Sequence, residues 1–144
     1  MAATTMLSAA VHGADDVRLD PVAVPEPEPG DALVRISVAG ICGSDLGYAR
    51  AGGLPLGGSG ALPLGHECSG VIERIGAEVT GFAIGQRVVI NPTTPSNMIG
   101  SGGAGTFCSH VLARNVMGEP VLHAIPDSLD DETAALTEPL AVAL

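Results

Sequence analysis

Apolar residues along the chain fall in short runs, and the polar positions between them recur with the period of a strand rather than a helix. The clearest case is ALVRISVAGIC at 32–42: Leu33, Arg35 and Ser37 share one face, and Val34, Ile36 and Val38 share the other. That alternation predicts a half-buried strand. SGVIERIG (69–76), QRVVI (86–90) and TFCSHVLAR (106–114) read the same way, and TMLSAAV near the start and VLHAI (121–125) are shorter candidates. Twenty glycines and 11 prolines punctuate these runs. Many short strands joined by Gly/Pro turns predict an antiparallel barrel or sandwich.

PEPEPG (25–30) is a proline-stiffened lead into the next strand. Two glycine-rich stretches, 50–65 and 91–105, are expected to be surface loops, a setting in which functional residues concentrate. A helix is expected only near the end. Ser128 with Asp131 three residues later resembles a capping box, and DDETAAL puts acids in the first turn, where the helix dipole favours them. TEPLAVAL then opens a further apolar run that reaches Leu144 with no polar tail, so more chain is expected beyond it.

A length of 144 residues suits one domain that buries its own core. Aromatic residues make up only 2%, so that core must be built from Val, Ile, Leu and Ala. Sixteen acidic residues face six arginines and no lysine, a net charge of −10. This balance argues against nucleic acid, whose binding rests on cationic contacts to phosphate, and against an anionic membrane surface. Its plainest meaning is solubility. No apolar stretch approaches the roughly 18–20 residues of a membrane span. The start, MAATTMLSAAVHGADD, lacks the basic segment of a signal peptide. Cys42, Cys68 and Cys108 are odd in number and far apart, unlike a disulfide framework, so a reducing, cytoplasmic setting is expected.

Four of the remaining polar groups could bind a metal. Cys42 ends the strand 32–42, His66 and Glu67 stand side by side in GHECSG, and Glu138 follows the capped helix. Singly, each has an ordinary explanation: a buried thiol, a hydrogen-bonded histidine, a carboxylate at a helix start. Together, one thiolate, one imidazole and one or two carboxylates at strand ends suit zinc. Three ligands from distant positions leave a fourth place open, the catalytic rather than the structural arrangement, and the chain has no CxxC pair. The chemistry such an ion supplies is acidification of an alcohol, from which hydride then leaves more readily. The Ser44 hydroxyl could relay the proton, and Asp45 could accept a hydrogen bond from the second nitrogen of His66. Spacing alone leaves both the metal site and the ordinary readings open.

GHECSGVIERIGAEV (65–79) resembles the signature of zinc-containing alcohol dehydrogenases at Gly65, His66, Glu67, Gly70, Gly76 and Val79. EPGDALVRISVAGICGSDL upstream is similar to that family's first ligand segment, and VTGFAIGQRVVI to the strand after the signature. AALTEPLAVAL resembles the polyol and sugar-acid branch, in which Glu-Pro-Leu replaces a cysteine ligand. The resemblance runs from about residue 6 to residue 144 and implies a medium-chain dehydrogenase. Its catalytic domain would be a GroES-like, partly open antiparallel β-barrel with a few short helices, spanning 1–144. The last helix would lead to a Rossmann domain after Leu144 that binds NAD or NADP.

By the same resemblance Cys42 and His66 are direct zinc ligands. Glu67 is a ligand or an adjustable carboxylate beside the ion, and Glu138 binds the zinc or its water. Ser44 is the proton-relay hydroxyl, Asp45 orients the histidine and Tyr48 lines the substrate site. Gly65 and Gly70 are expected to turn the backbone behind the ion, and Cys68 to serve packing alone.

The sequence departs from the family in three places. Gly47 stands where many relatives carry a histidine. The segment NPTTPSNMIGSGGAGT lacks the four cysteines of a structural zinc site, so a single, catalytic zinc is expected. No Gly-x-Gly-x-x-Gly turn between a strand and a helix is present, and GGSGALPLG is expected to form a mobile lip of the cleft. The expected substrate is a small alcohol, polyol or sugar acid, with the full-length enzyme a homo-oligomer paired mostly through the other domain and the isolated chain inactive. The alternatives are a zinc-free, quinone-reductase-like domain and a stand-alone GroES-like binding module.

Overall fold

The structure, a computed structural model, describes residues 4–54 and 60–144. Two antiparallel sheets carry it. The smaller has strand order β2-β1-β4, from β1 (Thr5–Gly13), β2 (Asp16–Ala23) and β4 (Leu62–Pro63). The larger has order β7-β3-β5-β6-β8, from β3 (Ala32–Gly40), β5 (Glu67–Ile75), β6 (Arg87–Ile90), β7 (His110–Ala113) and β8 (Leu122–Ala124). The sheets meet along β1, where Ser8 bridges Cys108 and the Ala9 amide donates to the Phe107 carbonyl at 3.0 Å. The result is a mainly β domain with an open barrel-like wrap. Three short helices complete it: α1 (Gly43–Ala51), α2 (Asp131–Ala135) and α3 (Thr137–Ala143).

The core lies between the larger sheet and the segments that cross it. Val34, Ile72, Val88, Val111 and Val121 are fully buried there, with Cys68, Ile90 and Ile99 packed among them. Full burial of a Val or Ile side chain contributes about 1.5–3 kcal/mol, so these aliphatics supply the cohesion that aromatics provide elsewhere. A second cluster of Val11, Leu62 and Leu64 ties the smaller sheet to α1 through Tyr48 and Ala49.

Several expectations from the sequence need correction. The 106–114 strand is shorter, because Thr106–Ser109 is taken up in loop contacts and only His110–Ala113 pairs with β3. The helix cap is Asp130 rather than Ser128: the Asp130 carboxylate accepts from the Thr133 amide at 2.6 Å. Helix α1 and strand β2 were not anticipated. α1 is hidden by its two glycines, Gly43 and Gly47, and a small-residue composition, and β2 by a polar pattern that leaves most of it exposed.

Gly70 does not turn the chain. It sits mid-strand between β3 and β6, where a Cβ would lie 2.5 Å from the Arg35 carbonyl oxygen. The 50–65 stretch contains the end of α1 and strand β4; of the expected lip at 57–65, residues 57–59 lie outside the described residues, and Leu62 and Leu64 are buried in packing rather than forming a mobile edge. The 91–105 stretch is no simple surface loop, since Thr94, Asn97 and Ile99 are buried. No helix among the described residues is long and apolar enough to cross a membrane.

Candidate metal centre

The antiparallel β3–β5 pair brings the two halves of the site together. Gly40, at the end of β3, lies opposite Glu67, the first residue of β5. Chain leaving β3 reaches Cys42 and turns into α1, while chain entering β5 passes through Gly65 and His66. The strand-to-helix joint and the loop-to-strand joint therefore abut. Cys42, His66 and Glu67 each offer a ligand atom, and these atoms all lie within 4.8 Å of one another. No other such group of three or more His, Cys, Asp or Glu residues occurs among the described residues.

Glycine makes this convergence sterically possible. A Cβ on Gly40 would overlap the Glu67 carboxylate. Gly65 adopts φ +91°, and a Cβ there would fall 2.6 Å from Thr106 Oγ1 and 2.7 Å from Phe107 Cδ1. Only glycine occupies that conformation and that space together.

Asp45 binds the two segments to each other. Only 2% exposed, its carboxylate accepts from the Cys42 amide at 3.0 Å and from the Gly65 amide at 3.0 Å. Asp45 Oδ1 is 3.7 Å from His66 Nδ1, an ion-pair distance beyond hydrogen-bond range. Its hydrogen bonds therefore go to the backbones that carry the ligands, and only its charge reaches the ring. Cys42 is also the N-cap of α1, where the Asp45 amide donates to the Cys42 carbonyl at 3.1 Å while the Asp45 carboxylate reaches back to the Cys42 amide.

The donor set fits a borderline-soft divalent ion. Thiolate, imidazole and carboxylate are all zinc ligands, and three protein donors leave a coordination place open. Glu67 is 7% exposed, and none of the ion pairs formed among the described residues includes it. A buried carboxylate is costly without a cation beside it, and the neighbouring thiol and imidazole are where that cation would bind.

The remaining candidates are distributed around this group. Ser44 is half-buried in the first turn of α1, and Tyr48, one turn later on the same face, packs against Val11, Leu62 and Leu64. Glu138 lies on α3 and is not in the three-residue group; it lines a separate cavity of about 330 Å³ with Cys68, Asn91 and His123. Cys68 points into the core beside Ile72 and Ile90, and burial pushes its thiol up to about 12. Sequence reasoning overlooked Gly40. Its signal was a glycine two residues before a candidate ligand, which gains meaning only once the β3–β5 register is known.

Residues 28–127 match the family described as alcohol dehydrogenase GroES-like domain. Sorbitol dehydrogenase of Gallus gallus is 34% identical over 162 residues, covering 100% of this chain and 45% of that protein. Among solved structures, 2R,3R-butanediol dehydrogenase from Bacillus subtilis superposes with a TM-score of 0.80 at 31% identity, over 96% of this chain and 45% of that one. A putative zinc-binding dehydrogenase from Sinorhizobium meliloti bound to NADP superposes with a TM-score of 0.79 at 28% identity, over 96% and 43%. The chain thus spans less than half the length of the relatives it matches. With the fold, the ligand geometry and the match over 28–127 in agreement, the chain belongs to the alcohol dehydrogenase family as its GroES-like domain.

Proposed function

We propose that this chain is the metal-binding catalytic domain of a zinc-dependent dehydrogenase that oxidises a secondary alcohol of the polyol or sugar-acid class. The observation that carries the reading is the convergence of Cys42, His66 and Glu67 within 4.8 Å from three different backbone contexts. These three residues hold one zinc, with Glu67 the adjustable carboxylate, and Glu138, outside the group on α3, serves a water of the zinc. Zinc at this place supplies Lewis acidity that favours the deprotonated form of an alcohol substrate.

The chain's own residues do the rest. Asp45 fixes the spacing of the Cys42 and Gly65 backbones and places negative charge near His66. The Ser44 hydroxyl, two residues from Cys42, takes the proton from the substrate and passes it to solvent, since Gly47 offers no group to extend the path. Tyr48 borders the substrate on the same helix. The hydride acceptor is NAD or NADP, held by a further domain of the full-length protein, so the chain alone binds metal without turning over. The relatives' names, sorbitol and butanediol dehydrogenase, support a small hydroxylated substrate. A homo-oligomer paired through the further domain, working in the cytoplasm on a small molecule and not on nucleic acid or membrane, completes the reading.

Metal analysis of the purified chain tests it. The expected result is about one zinc per chain, lost in the Cys42→Ala, His66→Ala double variant. A zinc-free preparation made without chelators, which takes up no zinc on titration, would overturn it in favour of a zinc-free reductase domain.

A further inference from the structure

The segment between β6 and β7 does more than cover the site. It returns through a tight turn at Gly100, where φ is +73°. A Cβ at this position would lie 2.9 Å from the Gly65 carbonyl oxygen, 2.9 Å from His66 Cβ and 3.0 Å from His66 Nδ1. Gly100 therefore forms a wall against the Nδ1 edge of the imidazole, with Asp45 Oδ1 also 3.7 Å from that nitrogen. Thr106 reinforces the contact, its amide donating to the Gly65 carbonyl at 3.1 Å.

The wall is itself fixed. Ile99 is buried in the main core and its amide donates to the Pro92 carbonyl at 3.0 Å. The Gly100 amide donates to the Ala104 carbonyl at 2.6 Å. Asn97 clamps the loop to the end of β7: its Oδ1 accepts from the Arg114 amide at 2.8 Å, and its Nδ2 donates to the Arg114 carbonyl at 3.2 Å and to Thr94 Oγ1 at 2.7 Å. A side chain added at Gly100 meets backbone on one side and His66 on the other. Of these neighbours, the imidazole is the one with a free torsion to yield.

We infer that Gly100 is a positioning residue for the metal centre: its bare backbone sets the tilt of the His66 ring, so the 91–106 loop controls metal affinity without supplying a ligand. The inference rests on the metal site proposed above. It assigns a specific job to a segment that has no cysteine and offers the site no ligand of its own.

Gly102 provides the control. It lies in the same turn at φ +121°, which is at least as hostile to an L side chain, yet the nearest neighbour of its Cβ would be Leu54 Cδ1 at 3.9 Å. Gly100→Ala and Gly102→Ala thus share backbone strain and differ in contact with His66.

The test is zinc affinity, measured by competition with a chromophoric chelator, alongside the absorption spectrum of the cobalt-loaded chain and the melting of the metal-free chain. Gly100→Ala is expected to bind zinc about 10–100-fold more weakly, the usual effect of disturbing a ligand's support, and to give an altered cobalt spectrum at saturation. Gly102→Ala is expected to melt at a similarly lowered temperature but to bind within about threefold of wild type. Should Gly100→Ala fail to fold, Gly100→Asn takes its place: asparagine tolerates left-handed backbone and still carries the Cβ, so it is expected to show the same loss. Zinc affinity within threefold of wild type in the folded Gly100 variant, or an equal loss in Gly102→Ala, would overturn the inference. Absence of zinc binding in wild type would instead defeat the metal site itself.

Discussion

The β3–β5 ladder has two ends built on opposite principles. At one, Ala32, Val34 and Ile72 are fully buried in aliphatic packing. At the other, Gly40 faces Glu67 as the strands give way to Cys42 and His66. The first end supplies cohesion, and the second uses the rigidity this creates to hold a thiol, an imidazole and a carboxylate within 4.8 Å of one another. Glu67 and Cys68 show the contrast one residue apart. Alternation along β5 turns the carboxylate toward the ligand cluster and the thiol into the core.

The comparison predicts that damage at one end leaves the function of the other intact. Ile72→Ala should cost about 2–5 kcal/mol of stability, seen in denaturant unfolding, because the site is closely packed and cannot collapse. The folded fraction should still bind one zinc. Loss of zinc from folded Ile72→Ala chains would break the division.

Gly40→Ala tests the other end. The added methyl overlaps the Glu67 carboxylate, so zinc affinity should fall about 10–100-fold with a much smaller change in melting temperature than Ile72→Ala produces. An unchanged affinity would mean that Glu67 moves freely and is not held at the ion.

Thiol labelling sharpens the contrast between cysteines. Half-buried Cys42 should react in the metal-free chain and be protected by zinc. Cys68, its thiol pushed up to about 12 by burial, should stay unlabelled in folded protein at pH 8. The same burial has a consequence for stability. Because the folded value exceeds the ordinary 9.0, the thiol's contribution is complete below pH 9 and is lost as pH rises toward 12. A Cys68→Ala variant should therefore lose less stability than wild type over that alkaline window.

The smallest effect belongs to the α2 cap. Asp130→Ala should lower the melting temperature by a few degrees at neutral pH. The hydrogen bonds from Thr133 hold the Asp130 carboxyl below its ordinary 3.8. Its contribution is thus present above that value and fades as pH falls through the lower folded one, so the difference between wild type and variant should shrink in acid.

Sequence patterning revealed the larger sheet because β3, β5 and β6 bury one face and alternate, or run apolar, in a way that period-2 reading detects. It concealed β2, whose residues mostly face solvent, and α1, whose identity depends on a capping box built from Cys42 and Asp45 rather than on an apolar stripe. The proposed ligands Cys42, His66 and Glu67 could be singled out from their chemistry together with the resemblance of GHECSGVIERIGAEV to a zinc signature, since spacing alone left ordinary readings open. Their support could not. Gly40 and Gly100 act by lacking atoms, and the space they leave has meaning only in three dimensions. Asp45 was legible as a partner of His66, but its bonds to the Cys42 and Gly65 amides depend on a turn that the sequence pattern does not announce.

X-ray absorption at the zinc edge of the metal-loaded chain tests the central claim most directly. The account predicts one sulfur neighbour at about 2.3 Å, from Cys42, and nitrogen and oxygen neighbours at about 2.0–2.2 Å, from His66, Glu67 and an open place filled by water. Two or more sulfurs, or a shell of oxygen alone, would contradict it.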